Sequence, residues 1–89
     1  MIFYEDAVKK AFSKGKLPKN IFEQFHHCFQ ALSLTNDLSL FDVKALKGEP
    51  GDKRLYFRLR KGKYRAIFYI EHGDYYIISI AKREEVYKK

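Results

Sequence analysis

Between residues 54 and 60 the chain reads Arg-Leu-Tyr-Phe-Arg-Leu-Arg, an alternation that separates Arg54, Tyr56, Arg58 and Arg60 from Leu55, Phe57 and Leu59. In an extended strand, residues two apart share a face at a spacing of about 6.6–7 Å, similar to that of successive phosphates along a single nucleic-acid strand. A guanidinium grips phosphate oxygens through two parallel hydrogen bonds, and a tyrosine ring between two of them offers a surface for base stacking. Arg65, just beyond the loop Lys61-Gly62-Lys63, would join the group from the neighbouring strand. A solvated sheet face carries charges in any case. Four of the six charges from 54 to 65 are nevertheless arginine, although lysine would keep a face soluble equally well and arginine is favoured for planar two-point recognition.

Other reactive side chains fit structural roles better. His26 and His27 are adjacent, so on a helix they point about 100° apart, whereas helical metal ligands use spacings of three or four residues. His72 falls in a turn, and no metal site is expected. Cys28 lies on an apolar helix stripe and reads as a small core residue. The sequence contains no glycine-rich phosphate loop, nucleophile elbow or paired carboxylates, so any catalysis falls to Arg, Lys and Tyr. No cofactor is expected.

The charge distribution agrees with an anionic partner. Residues 1–43 hold five lysines and five acids, whereas residues 44–89 hold thirteen Lys and Arg against six acids, the whole of the formal +7. A field confined to one half of a small domain points to a polyanion. No run approaches the roughly 20 apolar residues of a membrane span, no secretory signal pattern opens the chain, and the single cysteine excludes a disulfide framework. A cytoplasmic location is expected.

Eighty-nine residues with 46% hydrophobic content are enough for one domain, spanning residues 1–89, around one core. A short strand over 1–4 and a helix over 5–12 are followed by a break at Ser13-Lys14-Gly15-Lys16. Ile21, Phe22, Phe25, Cys28, Phe29 and Leu32 recur at three- and four-residue steps, predicting an amphipathic helix from Pro18 to about Leu34. Residues 38–53 show no sustained period and read as a connection packing Leu40, Phe41 and Leu46 onto the domain. Strands over 54–60, 64–71 and 75–81, joined by tight turns, form a meander. The fold class is α+β: two N-terminal helices packed on one face of a small twisted antiparallel sheet, made of the short N-terminal strand plus the C-terminal three-strand meander.

The run KALKGEPGDKRLYFRLRKGKYRAIFYIEHGDYYIISIAKREEVYKK, residues 44–89, resembles the C-terminal half of the RelE/ParE toxins of toxin–antitoxin pairs. The landmarks are Leu-Lys-Gly before the sheet, an Arg-Leu-Arg strand, a Gly-x-Tyr-Arg hairpin, a short acidic turn, an apolar strand, and a terminal Lys-Arg-x-x-Val-Tyr. The resemblance implies a ribosome-dependent, metal-independent endoribonuclease that acts on messenger RNA in the ribosomal A site. In that reaction the RNA 2′-hydroxyl attacks the adjacent phosphate, and arginines stabilise the charge that builds up. Its catalytic set would be Arg58, Arg60, Arg65, Arg83 and Tyr87, with Arg65 and Arg83 as phosphate clamps and Tyr87 for acid–base work or stacking. Its RNA-binding set would be Lys47, Arg54, Tyr56, Lys61, Lys63 and Lys82.

Tyr56 and Arg58 stand where RelE-type sequences have two lysines. An arginine cannot give up its proton in a protein, so proton acceptance would pass to Tyr87 or another group. Ala81 replaces a common glycine. The implied partner is a cognate antitoxin. Two alternatives share the fold: a ParE-like inhibitor of DNA gyrase without ribonuclease activity, and a degenerate non-toxic member that binds only RNA or a partner.

Overall fold

The structure, a computed structural model, describes residues 1–46, 51 and 54–82. Its elements run β1 (Ile2–Tyr4), α1 (Asp6–Ser13), α2 (Lys19–Thr35), a 3-10 turn (Leu38–Leu40), β2 (Asp42–Leu46), β3 (Tyr56–Lys61), β4 (Tyr64–Glu71) and β5 (Asp74–Lys82). The strands form one sheet in the order β1-β5-β4-β3-β2. The expected α+β architecture is present, with two additions. β1 pairs with β5 in parallel, which makes the sheet mixed. Residues 42–46, read from sequence as part of a connection, form an edge strand antiparallel to β3. Asp42, Lys44 and Leu46 alternate there with Val43 and Ala45, too short and too polar a stretch to announce itself. Charged residues on an edge strand also discourage pairing with other chains.

The helices follow the apolar period. Pro18 caps α2 from an extended conformation, where its missing N–H costs nothing. Asn36 ends the helix in the left-handed region at φ 54°, its N–H donating to the Leu32 carbonyl. Phe25, Cys28, Phe29 and Leu32 turn from α2 into the core and meet Leu59, Ala66, Phe68, Tyr75, Ile77 and Ile80 from the sheet; Val8 and Leu17 close its edge. Phe68 sits at the centre, edge-on to Phe29 with ring centroids 5.1 Å apart and stacked on Phe57 and Tyr75 at 5.5 and 5.9 Å. Leu55, expected on this face, lies outside β3 and is 58% exposed, because the strand starts two residues later than the alternation suggests.

Two-residue turns join β3 to β4 and β4 to β5, and His72 and Gly73 both take positive φ, at 52° and 80°, as a tight hairpin demands. Between Ile67 and Phe68 the pairing with β5 skips Ile78. This bulge lets Ile77 and Ile80 both face the core while Ser79, partner of Ile67, faces away.

Tyr4 shows how the core treats polar groups. Its hydroxyl lies 2.8 Å from His26 Nδ1, among the rings of Phe22 and His26, and burial pushes its ionisation far above the ordinary phenol range. Burial likewise raises Tyr75 and Cys28. These groups ionise more readily in the unfolded chain, so the stability they contribute is intact below the unfolded values and is lost as pH climbs beyond them. Chemical denaturation is expected to show stability falling steeply above about pH 10, with Tyr4→Phe flattening the slope. A profile identical in Tyr4→Phe and the parent would contradict this account.

Candidate phosphate-binding site

The helices cover one face of the sheet, and the other carries the arginines. Register makes the arrangement explicit. Arg60 stands opposite Asp42 on β2 and Arg65 on β4, and Arg65 stands opposite Ala81 on β5. One step along, Lys44, Arg58, Ile67 and Ser79 form the next row, followed by Leu46, Tyr56, Tyr69 and Tyr76. Residues paired across a ladder share a face, so Arg58, Arg60 and Arg65 project from the same side, as the alternation predicts.

Their environments differ. Arg60 is open, with a side chain 54% exposed. Arg58 is sunk to 14%. Arg65 is buried at 6% exposure, and its NH1 donates to the Gly62 and Tyr64 carbonyls at 3.4 and 3.3 Å, tying the guanidinium to the β3–β4 turn. Asp42 binds the first two together: Oδ1 accepts from Arg58 NH2 at 3.1 Å and Oδ2 lies 2.7 Å from Arg60 Nε. Arg58 Nε is buried without a hydrogen-bond partner among the described residues. The cluster is a largely dehydrated patch of positive charge with one carboxylate at its edge. Such a patch can receive a phosphate at the exposed end of Arg60, backed by the field of two partly or wholly buried guanidiniums.

A second feature shares the face. Phe3 stacks on Tyr76 at 5.1 Å and 18°, and Tyr76 on Tyr69 at 4.9 Å and 9°, separations close to the strand spacing. Parallel rings so close must stand upright on the sheet, with their faces turned along the row. The Arg54 guanidinium caps the row, 4.5 Å from the Tyr69 ring centre, and pairs with Glu71 at 3.3 Å. Tyr56 meets Tyr69 edge-on at 5.7 Å.

The other sequence-predicted residues fall elsewhere. Lys61 and Lys82 are in register with Tyr64, whose ring packs on the core, so they belong to the helix-side face of the sheet. Lys63 is exposed in the hairpin turn. Lys47, Arg83 and Tyr87 lie outside the described residues. Cys28 is a core residue, 4% exposed. No group of three or more His, Cys, Asp or Glu suited to a metal occurs among the described residues, and no helix among them is long and apolar enough to cross a membrane. Sequence reasoning missed Asp42 and the partners Phe3, Tyr69 and Tyr76. Only strand pairing brings them to the arginines.

No protein-family model and no curated protein matches the sequence. Solved structures do match. A chain of the RelB–RelE antitoxin–toxin complex from Methanococcus jannaschii superposes with a TM-score of 0.71 at 20% identity, over 96% of this chain and 94% of its own. A chain of the archaeal RelE–RelB complex from Pyrococcus horikoshii OT3 gives 0.69 at 27% identity, over 92% of each.

Proposed function

We propose that this RelE-like chain is the toxin of a toxin–antitoxin pair and that it cuts messenger RNA on the ribosome. The observation that carries the reading is the placement of Arg58, Arg60 and Arg65 on one face of that fold, on two adjacent strands. In the proposed reaction the RNA 2′-hydroxyl attacks the neighbouring phosphorus, a 2′,3′-cyclic phosphate forms, and the bond to the 5′-oxygen of the next nucleotide breaks. Negative charge grows on the non-bridging oxygens in the transition state. Guanidiniums fixed in place before the reaction stabilise that charge more than they stabilise the substrate, and this difference accelerates the step.

Arg60 is the phosphate contact in this scheme, with Arg58 and Arg65 reinforcing it from beneath. Arg83 and Tyr87, outside the described residues, are proposed from the sequence resemblance as a second clamp and the acid–base group. The two RelE–RelB assemblies support an antitoxin as the physiological partner. Its extended or helical segment would be laid along the toxin.

Primer extension in a translation extract tests the reading. Breaks within the message are expected when ribosomes are translating it and not on naked RNA, and Tyr87→Phe is expected to weaken them at least tenfold. Trapped gyrase–DNA cleavage complexes without RNA breaks would replace this reading with a gyrase inhibitor, and neither effect would leave a binding protein.

A further inference from the structure

We propose that Asp42 is the positioning residue of the arginine pair, holding Arg60 in an ion pair at its Nε so that the guanidinium is presented to the RNA backbone. The inference rests on the ribonuclease reading above. Asp42 opens β2, and its Cα is the ladder partner of Arg60. Its two carboxylate oxygens are divided: Oδ1 takes a hydrogen bond from Arg58 NH2 at 3.1 Å, and Oδ2 meets Arg60 Nε at 2.7 Å. A carboxylate committed in this way to two guanidiniums is engaged as an acceptor, so its role lies in the orientation of its partners and not in taking up the 2′-hydroxyl proton.

The two arginines need an organiser for different reasons. Arg58 is 14% exposed and its Nε has no hydrogen-bond partner among the described residues, so the contact with Asp42 is what compensates a mostly dehydrated charge. Arg60 is 54% exposed, and a long side chain that exposed would otherwise lose several rotamers' worth of freedom each time it met a phosphate. The 2.7 Å ion pair at Nε restricts that freedom in advance and holds the planar group ready for a two-point phosphate contact. An acid whose effect was only to dilute the local charge would act in the opposite sense, and its removal would speed the reaction.

Asp42→Asn keeps the shape, removes the charge and replaces one acceptor by a donor that repels a guanidinium. In single-turnover cleavage of a message held on ribosomes, Asp42→Asn is expected to react about tenfold or more slowly than the parent, the scale of loss that follows when a reacting group is misplaced. Binding of the variant to single-stranded RNA is expected to be equal or tighter, because one negative charge is gone from the site. In an Arg60→Ala background the same substitution is expected to add little further loss, since the two residues act through one another. In nitrogen-15 relaxation measurements on the isolated protein, the Arg60 Nε–H is expected to be rigid in the parent and mobile in Asp42→Asn. Unchanged or faster cleavage by Asp42→Asn, a full additive loss on top of Arg60→Ala, or an Arg60 Nε–H signal indifferent to the substitution would each overturn the assignment. A parent protein that makes no ribosome-dependent breaks would instead overturn the ribonuclease reading, and the Nε–H measurement would still decide whether Asp42 holds Arg60.

Discussion

Replacing Arg60 by alanine is expected to slow ribosome-dependent cleavage by about a hundredfold or more, the loss typical of removing one preorganised donor from a developing oxyanion, while the fold survives. The two halves of that expectation have different physical origins. Among the described residues Arg60 makes one ion pair, with Asp42, from a side chain that is 54% exposed, and exposed pairs of this kind contribute about 0–1 kcal/mol. The thermal midpoint of Arg60→Ala should therefore stay within a few degrees of the parent. Its side chain is more than half exposed on the face that Arg58 and Arg65 also supply, where a phosphate can approach.

Arg60→Lys separates charge from geometry. It keeps the charge and loses the planar fork, so a recovery of only a small part of the rate is expected if two-point contact matters. Single-turnover cleavage of a ribosome-bound message, with thermal denaturation of the same preparations, reads both halves. Full activity in Arg60→Ala would remove Arg60 from the site, whatever its position in the sheet.

The largest effect on stability belongs to Phe68. Its side chain is fully buried and touches Phe29 from α2, Phe57 from β3 and Tyr75 from β5, so it joins the helix layer to both strands that flank its own. Phe68→Ala is expected to cost about 3–5 kcal/mol through lost burial and the cavity left behind. In a domain whose whole stability is on the order of 5–15 kcal/mol, that loss lowers the melting temperature by roughly 15 °C or more and leaves part of the chain unfolded near body temperature. Phe68→Leu, which refills most of the volume, should restore much of it. Circular dichroism melts of the three proteins decide the matter: a midpoint in Phe68→Ala close to that of the parent would show that this ring is not the centre of the core.

The amino-acid sequence by itself determined what depends on local period. The recurrence of Phe25, Cys28, Phe29 and Leu32 dictates a helix with one apolar side, and the alternation of Tyr56 to Arg60 dictates a strand whose arginines share a face. Gly62 and Gly73, at φ 60° and 80°, mark turns that other residues adopt only with strain. The confinement of net charge to residues 44–89 pointed to an anionic partner before any pairing was known. These features are set by neighbours a few residues apart, so a reading along the chain can recover them.

What only the tertiary structure decided involves residues far apart in the chain. Asp42 gains its meaning from the ladder that sets it opposite Arg60, and an edge strand of five mixed residues carries no period strong enough to reveal that pairing. Phe3, Tyr76 and Tyr69 become a stack because β1 runs parallel beside β5 and β5 beside β4, an order no local pattern contains. Arg65 reads from sequence like its neighbours, yet the fold buries it against the turn carbonyls and leaves Arg60 in water. Burial is a property of the assembled layers, and a guanidinium's chemistry follows from how much water it keeps.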